Sequence, residues 1–270
     1  SILRKQHEYE FTKTVNTIIY KKNVAKEMFT APSVAYALQP IAVDPMYRNE
    51  FYAAYTAKSR VSSLNSAYFV YNDESEIVRQ FQEQRNVILR GADQYDITDS
   101  TFYRYYTAIP AGKNFDSITT LAQKVTSDAH TTIDKVLAIR DFFWSKDDSG
   151  KRIYTYSDNP GIPELPSASR LNHFLFEEKK GYCAYYAGAT LYMLRALGIP
   201  SRIVGGFLTE DRSKGKNTGW YWFYEDQAHA WVQVFFPGLG WIDFDTTVDN
   251  EDARESEQAD GTPPVIPQKP

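Results

Sequence analysis

Cys183 is the only cysteine among 270 residues, and its surroundings favour a reactive thiol. It follows a predicted glycine turn at Gly181 and opens an apolar stretch with helical spacing that ends at Gly198-Ile199-Pro200. This pattern predicts a buried helix that begins at the cysteine. The amide groups and the dipole at a helix N-terminus stabilise an anion and lower the pKa of a cysteine there. A small buried apolar side chain, the commonest role of a lone cysteine, is the alternative.

A thiol nucleophile needs a base, and the base needs a group that orients it. The chain has four histidines: His7, His130, His173 and His229. Only His229 begins a predicted strand flanked by tight turns in the half of the chain that holds the cysteine. Glycine and proline at residues 237–240 predict a turn between this strand and the next, and therefore an antiparallel hairpin.

The hairpin brings two carboxylates toward the histidine. Asp245 ends the second strand roughly opposite His229, and Asp243 shares its face because residues two apart on a strand point the same way. We therefore predict that Cys183 is the nucleophile, His229 the general base and acid, and Asp245 the orienting group, with Asp243 as its competitor. Each residue also has an ordinary structural role as an alternative. A metal site is disfavoured, because a closed zinc site uses four protein ligands.

Three aromatic residues are candidates for contact with a substrate. Trp220 and Trp222 shortly precede His229 and could wall a channel for the acyl group, whereas Tyr182 adjoins the cysteine. Ordinary packing against a sheet is an equally good explanation for the tryptophans.

The remaining pattern predicts an α+β protein with three parts. Residues 1–110 are predicted to form a β-rich N-terminal domain of unknown role, and residues 111–250 are predicted to form the catalytic domain. Residues 251–270 are predicted to be an acidic, proline-rich flexible tail. Predicted strands in the first part cover residues 8–20, 51–55, 67–71 and 102–106. A helix is predicted at 74–89, residues 31–50 are predicted to be irregular, and residues 220–224 form a further predicted strand.

Composition narrows the classes of function. The net charge of -4 without a basic run gives no support for nucleic-acid binding. One cysteine excludes an internal disulfide and a multi-cysteine zinc cluster. No stretch of 18 apolar residues occurs, so we expect no segment of this sequence to span a bilayer. We predict no cofactor and no metal.

Four ordered blocks resemble the transglutaminase-like superfamily, in particular its bacterial branch. The blocks are residues 181–187, 193–204, 228–232 and 240–247, and the resemblance covers about residues 111–250. The family pattern places its catalytic triad at Cys183, His229 and Asp245, which favours Asp245 over Asp243. Thr246 departs from the proline that many relatives carry after the aspartate. We expect this change to affect the exit of the strand and not the triad.

The resemblance implies a papain-like fold, in which a cysteine-bearing helix packs on an antiparallel sheet. It also implies transfer of an acyl group from a glutamine carboxamide to an amine through a thioester. A cysteine protease or amidase that uses the same triad is one alternative, and a non-catalytic binding module on the same scaffold is another. The implied partners are protein or peptide substrates that offer glutamine and lysine side chains or peptide bonds. The relatives imply an extracytoplasmic location, with membrane anchoring by segments outside this chain.

Overall fold

The structure of the chain is a computed structural model that describes residues 11–25, 27–65, 76–162, 167–208 and 220–248. These residues form two compact units, 11–65 and 76–248. The units therefore divide before residue 76, whereas the sequence pattern placed a boundary near residue 110. The difference arises because the helices between residues 76 and 106 belong to the second unit.

The N-terminal unit is a three-stranded antiparallel sheet. Its strands are β1 (Thr12–Lys21), β2 (Val34–Ile41) and β3 (Ala53–Ser62), with β3 in the centre. The predicted β-rich N-terminal region is confirmed. The prediction that residues 31–50 are irregular is wrong, because β2 runs through Pro40. An edge strand tolerates proline, which has no N–H to donate to a neighbour. The predicted strand at 67–71 lies outside the described residues.

The second unit contains six α-helices among its described residues. They are α1 (Glu76–Gly91), α2 (Ser100–Tyr106), α3 (Lys113–Val125), α4 (Thr132–Trp144), α5 (Ser167–His173), which continues as a π-helical turn (Phe174–Glu178), and α6 (Cys183–Ala196). The predicted helix at 74–89 is confirmed by α1. Within the described part of the chain, no helix is long and apolar enough to cross a bilayer.

Residues 102–106 were predicted to be a strand, and they belong instead to helix α2. Asp99 caps this helix by accepting the amide N–H groups of Thr101 and Phe102. Phe102 and Tyr106 are four residues apart, so a helix brings both rings to one side. Both pack against Trp241. Tertiary packing of residues at helical spacing therefore outweighs the high β propensity of the aromatic residues in this segment.

Helix α6 lies at the centre of the second unit. Two short strands, β4 (Thr155–Tyr156) and β5 (Lys180–Gly181), precede it in the chain. The helix packs against α3 and against a three-stranded antiparallel sheet. The strands of this sheet, in spatial order, are β6 (Ser201–Phe207), β7 (Ala228–Phe236) and β8 (Gly240–Phe244). Nearly every residue from Tyr186 to Leu194 is buried. The alternate residues Val232, Val234, Ile242 and Phe244 form the buried face of the sheet. The predicted α+β fold, with a cysteine-bearing helix on an antiparallel sheet, is confirmed.

Candidate active site

The chain reaches Cys183 through a short strand. Strands β4 (Thr155–Tyr156) and β5 (Lys180–Gly181) run parallel, and Tyr156 pairs with Gly181. The sequence pattern suggested a glycine turn at Gly181, and this is wrong. A Cβ atom at this position would lie 3.0 Å from the ring of Phe174 and from the Cβ atom of Tyr185. Glycine is required here because the backbone approaches an aromatic ring closely.

An aromatic cluster fixes the first turn of α6. The ring of Tyr186 packs against Phe143 and Phe174, at centroid distances of 5.3 and 5.0 Å. The hydroxyl group of Tyr186 donates to the carbonyl oxygen of Thr155 at 2.9 Å. Tyr186 is buried and lies three residues after the cysteine. These contacts tie the helix start to β4 and limit the positions that the thiol can take.

The other two candidate residues meet on the predicted hairpin. β7 and β8 are antiparallel, with Val232 opposite Phe244 and Phe236 opposite Gly240. Asp245 follows β8 directly, and its Oδ2 lies 2.5 Å from Nε2 of His229. Its Oδ1 accepts the backbone N–H of Thr247 at 2.9 Å. The predicted proximity of the histidine and the aspartate is thus present in the structure.

Asp243, the competing carboxylate, has other partners. Its Oδ1 accepts Nε1–H of Trp231 at 2.9 Å and Nε2–H of Gln233 at 2.7 Å. Asp245, and not Asp243, therefore holds the histidine.

The thiol of Cys183 completes the cluster. It is half-buried, and the His229 side chain and the backbone N–H of Ala230 act on it as hydrogen-bond donors that lower its pKa. Because Nε2 of His229 faces Asp245, Nδ1 is the ring nitrogen that remains for the sulfur. The Ala230 amide was missed at the sequence level. No sequence signal identifies it, since almost every residue carries a backbone N–H.

The pKa of Cys183 is lowered and that of His229 is raised, and both changes favour the charged forms, a thiolate and an imidazolium. Burial, the largest single influence on each group, opposes these changes by favouring the neutral forms. The hydrogen bond and the charge of His229 outweigh burial and lower the pKa of Cys183. For His229, the hydrogen bonds to Asp245 and Cys183 outweigh burial and raise the pKa to about 10. Both shifts favour a thiolate–imidazolium pair over two neutral side chains.

Tyr156 is a nearby polar residue that the sequence did not single out. Its hydroxyl group donates to Oδ1 of Asp158 at 3.1 Å. Burial is the main cause that raises the pKa of its phenol, and the negative charges of Cys183 and Asp245 add to the increase. The pairing of Tyr156 with Gly181 accounts for this proximity. A sequence signal was lacking because twenty tyrosines occur in the chain.

The candidate substrate-binding residues lie in two places. The rings of Trp220 and Trp222 stack on each other with their centroids 5.8 Å apart. The predicted strand at 220–224 is wrong, since these residues lie outside the strands of the sheet and a 3-10 turn, Glu225–Gln227, follows them. Tyr182 precedes α6, is exposed and packs against the ring of Tyr185. In the described ranges, no group of three or more His, Cys, Asp or Glu residues could hold a metal ion.

Comparison with known protein families assigns the central part of the chain to one class. Residues 119–246 match the sequence model of the transglutaminase-like superfamily. This part of the chain is therefore a transglutaminase-like domain, as its sequence blocks suggested. The matched range includes all three candidate residues, Cys183, His229 and Asp245.

Individual relatives agree with this class. An uncharacterized protein of Bacillus subtilis, YebA, is 33% identical over 174 residues, which are 63% of this chain and 22% of that protein. A Pseudomonas aeruginosa protein named protein-glutamine gamma-glutamyltransferase is 38% identical over 85 residues, which are 32% of this chain and 12% of that protein. The chain thus spans about a fifth or less of the length of these relatives.

One solved structure shares the fold over most of the chain. It is the periplasmic domain of TgpA from Pseudomonas aeruginosa, bound to ethylmercury, and it superposes with a TM-score of 0.52. The comparison covers 90% of this chain and 74% of that chain at 18% sequence identity. At this level of identity the similarity shows the fold alone.

Proposed function

We propose that the protein is a cysteine-dependent acyltransferase that moves the acyl group of a glutamine side chain from its carboxamide to an amine. The observation that carries the proposal is the contact of the His229–Asp245 pair with Cys183 at the start of α6. A thiol, a base and an orienting carboxylate are the three groups that nucleophilic acyl transfer needs. The match to the transglutaminase-like superfamily supports the reaction class.

In the first half of the reaction, the thiolate of Cys183 attacks the carboxamide carbon and forms a carbon–sulfur bond. The carbon–nitrogen bond then breaks as the His229 imidazolium gives its proton to the leaving nitrogen, which departs as ammonia. A thioester and a neutral imidazole remain. Asp245 keeps the imidazole in the orientation that points Nδ1 at the reacting atoms and stabilises the ring when it is charged.

In the second half, a primary amine attacks the thioester and His229 takes the proton that the amine loses. The carbon–sulfur bond breaks, and the sulfur leaves as a thiolate paired with the imidazolium. The products are a secondary amide and the starting enzyme. Water in place of the amine yields a carboxylic acid, which is the hydrolase or amidase reaction of the same triad.

The backbone N–H groups at the start of α6 are the proposed donors to the oxyanion of both tetrahedral intermediates. The first N–H groups of a helix have no partner within the helix. Tyr182, the N-cap residue, provides no side-chain hydrogen bond to this first turn. These amides and the positive end of the helix dipole favour the developing negative charge.

Substrate contact is proposed for Trp220, Trp222 and Tyr182. The stacked tryptophans would form an apolar wall for the chain of a glutamine or lysine side chain, and Tyr182 lies one residue from the nucleophile. Proteins or peptides that carry these side chains are the proposed substrates. The name of the Pseudomonas aeruginosa relative, a protein-glutamine gamma-glutamyltransferase, supports the proposal.

We also propose an extracytoplasmic location, with anchoring by segments outside this chain. The support is the fold shared with a domain that is described as periplasmic. A fusion of the full-length protein to a reporter that is active on one side of the membrane tests this location.

Amine incorporation is the direct test of the reaction. The protein is incubated with casein and a fluorescent primary amine, with the Cys183→Ala variant in parallel. Labelled casein that requires Cys183 is the expected result. Peptide fragments or ammonia release without labelling would instead indicate a hydrolase. An inert wild-type protein whose thiol reacts no faster at pH 6 than a free thiol would support the binding module.

A further inference from the structure

The proposed reaction requires one orientation of the His229 ring, and the hydrogen bond to Asp245 alone does not define it. A single hydrogen bond fixes one atom of the imidazole but lets the ring tilt about the Nε2···Oδ2 direction. Nδ1 then moves relative to the sulfur of Cys183. A displacement of about 1 Å in a reacting group can reduce a rate by about a hundredfold. A second contact on the plane of the ring is therefore needed.

Trp231 provides a contact on the plane of the imidazole. The two rings are stacked, with centroids 6.1 Å apart and planes 21° from parallel. They share one face of β7 because they are two residues apart on the strand. The indole limits the tilt of the imidazole only if the indole is itself held in place.

Two features hold the indole. Its Nε1–H donates to Oδ1 of Asp243 at 2.9 Å. Gly206, which pairs with His229 on the neighbouring strand, leaves the space that the far edge of the indole fills. A Cβ atom at residue 206 would lie 2.8 Å from Cη2 of Trp231.

Asp243 is itself firmly held. The side chain of Gln233 donates to the same Oδ1 at 2.7 Å, and the charges of Arg202 and Arg85 act on the carboxylate. The guanidinium group of Arg202 lies 4.2 Å from the Trp241 ring centroid, and that of Arg85 lies 4.6 Å from the Phe244 ring centroid. The acceptor of the indole is thus held by the side chain of Gln233 on β7 and by the positive charges of Arg85 on α1 and Arg202 on β6.

We infer that Asp243 is a positioning residue that acts through Trp231 to fix the orientation of the His229 imidazole. This inference rests on the proposed function, and it assigns a role to the carboxylate that does not touch the histidine. Asp245 holds one atom of the ring, and the Asp243–Trp231 pair holds its plane.

The sharpest test uses two adjacent glycines on β6. Gly206→Ala pushes the indole away while Asp243, Trp231 and His229 all remain. Gly205→Ala is the matched control, because a Cβ atom there meets nothing within 4 Å. The measurement is the rate of alkylation of Cys183 by iodoacetamide between pH 5 and pH 9, which requires no acyl substrate. We expect Gly206→Ala to reduce the rate at pH 6 by about tenfold or more and Gly205→Ala to leave it unchanged.

A double-mutant cycle tests the hydrogen bond itself. Trp231→Phe keeps an aromatic ring but loses the N–H group, and Asp243→Asn removes the charge of the acceptor. If the two act through one contact, Asp243→Asn has no further effect on alkylation at pH 6 in the Trp231→Phe protein. Gly205→Ala, which leaves Asp243, Trp231 and Gln233 in place, is again the control. If Asp243→Asn does not fold, the glycine pair and Trp231→Phe still decide the question.

The outcomes separate the inference from the proposed function. Normal alkylation profiles in Gly206→Ala and Trp231→Phe, with only a lower melting temperature, would overturn the inference and leave a structural role for Trp231. A wild-type thiol without enhanced reactivity at pH 6 would overturn both the inference and the proposed function. An acid-shifted profile in the wild-type protein that is lost in both variants and kept in Gly205→Ala is the expected result.

Discussion

Asp245 holds His229 with one carboxylate oxygen and is held by the other. Oδ2 lies 2.5 Å from Nε2 of the imidazole, and Oδ1 accepts the N–H of Thr247. The carboxylate cannot rotate without breaking one of these contacts. The chain beyond β8 thus fixes the carboxylate that holds Nε2 of His229, and the first predictions concern this arrangement.

The reactivity of the thiol should depend on His229 in a pH-dependent way. His229→Ala removes the hydrogen bond and the charge that lower the pKa of Cys183, while burial, which raises it, remains. The pKa of the thiol should therefore be higher in this variant than in the wild-type protein. We expect iodoacetamide to alkylate the wild-type thiol at pH 6 at least about ten times faster than the variant.

His173→Ala is the matched control for this measurement. His173 is a histidine of α5 whose Nδ1 lies 2.8 Å from Glu177. Its removal should leave the alkylation profile unchanged. Equal rates for the wild-type protein and His229→Ala at pH 6 would contradict the ion pair.

The free energy of unfolding should fall as the pH rises, because Asp245 stabilises the charged form of His229. The pKa of His229 in the folded protein, about 10, lies above the value of about 6.5 expected for the unfolded chain. This contribution is therefore fully present below about pH 6.5 and is lost as the pH rises through about 10. Cysteine titration acts in the opposite direction, so the experiment uses a Cys183→Ala background. Asp245→Asn in this background should make the denaturation midpoint less dependent on pH above about 6.5.

The exposed residue Asp141 provides the control for the loss of a carboxylate. Its side chain is 72% exposed, and Asp141→Asn should leave the pH dependence intact. Urea denaturation followed by tryptophan fluorescence measures both variants. A pH dependence that survives Asp245→Asn would show that another group causes it.

The exit of β8 gives a separate prediction about stability. Thr246 stands where many relatives of the transglutaminase-like superfamily carry proline, and its hydroxyl lies 2.7 Å from that of Thr190 in the buried helix α6. Thr190→Val leaves the Thr246 hydroxyl buried without this partner and should lower the free energy of unfolding by about 1–3 kcal/mol. The double variant Thr190→Val/Thr246→Val should be closer to the wild type. Thr120→Val, on the exposed side of α3, should change it by less than about 0.5 kcal/mol.

Close packing at Gly181 also predicts a loss of stability. The Cβ atom of Gly181→Ala would meet the ring of Phe174 and the Cβ atom of Tyr185, neither of which can move freely in the aromatic cluster. Overpacking of this kind costs about 1–3 kcal/mol. Gly91→Ala is the control, because its helical φ of -62° suits alanine and the nearest atom lies 3.9 Å away. Urea denaturation should show a loss only for Gly181→Ala.

The sequence predicted the cysteine helix and the hairpin because both depend on local patterns. Helical spacing after Cys183 and the turn before Gly240 identify these elements without tertiary information. The pairing of His229 with Asp245 followed from the family pattern and from the approximate register of the hairpin. By contrast, the roles of Ala230 and Tyr156 arise from contacts between distant segments, for which the sequence carries no periodic signal.

The errors have the same physical origin. Phe102 and Tyr106 have high β propensity, yet packing against Trp241 and the cap from Asp99 favour a helix. Pro40 suggested an irregular segment, but the edge of a sheet accommodates it. In each case a tertiary neighbour outweighs the local preference.

The tryptophan pair should affect substrate affinity more than turnover. If Trp220 and Trp222 form the wall of the acyl channel, Trp222→Ala removes apolar contact that is equal in the ground state and the transition state. Loss of such uniform binding raises KM and leaves kcat nearly unchanged. We expect KM for a glutamine peptide in the amine-incorporation assay to rise about five- to tenfold, which corresponds to about 1 kcal/mol or slightly more. Tyr221→Ala, at the exposed residue between the two tryptophans, is the control and should keep the wild-type KM. A fall in kcat without a change in KM, or equal effects of both variants, would show that the pair does not contact the substrate in this way.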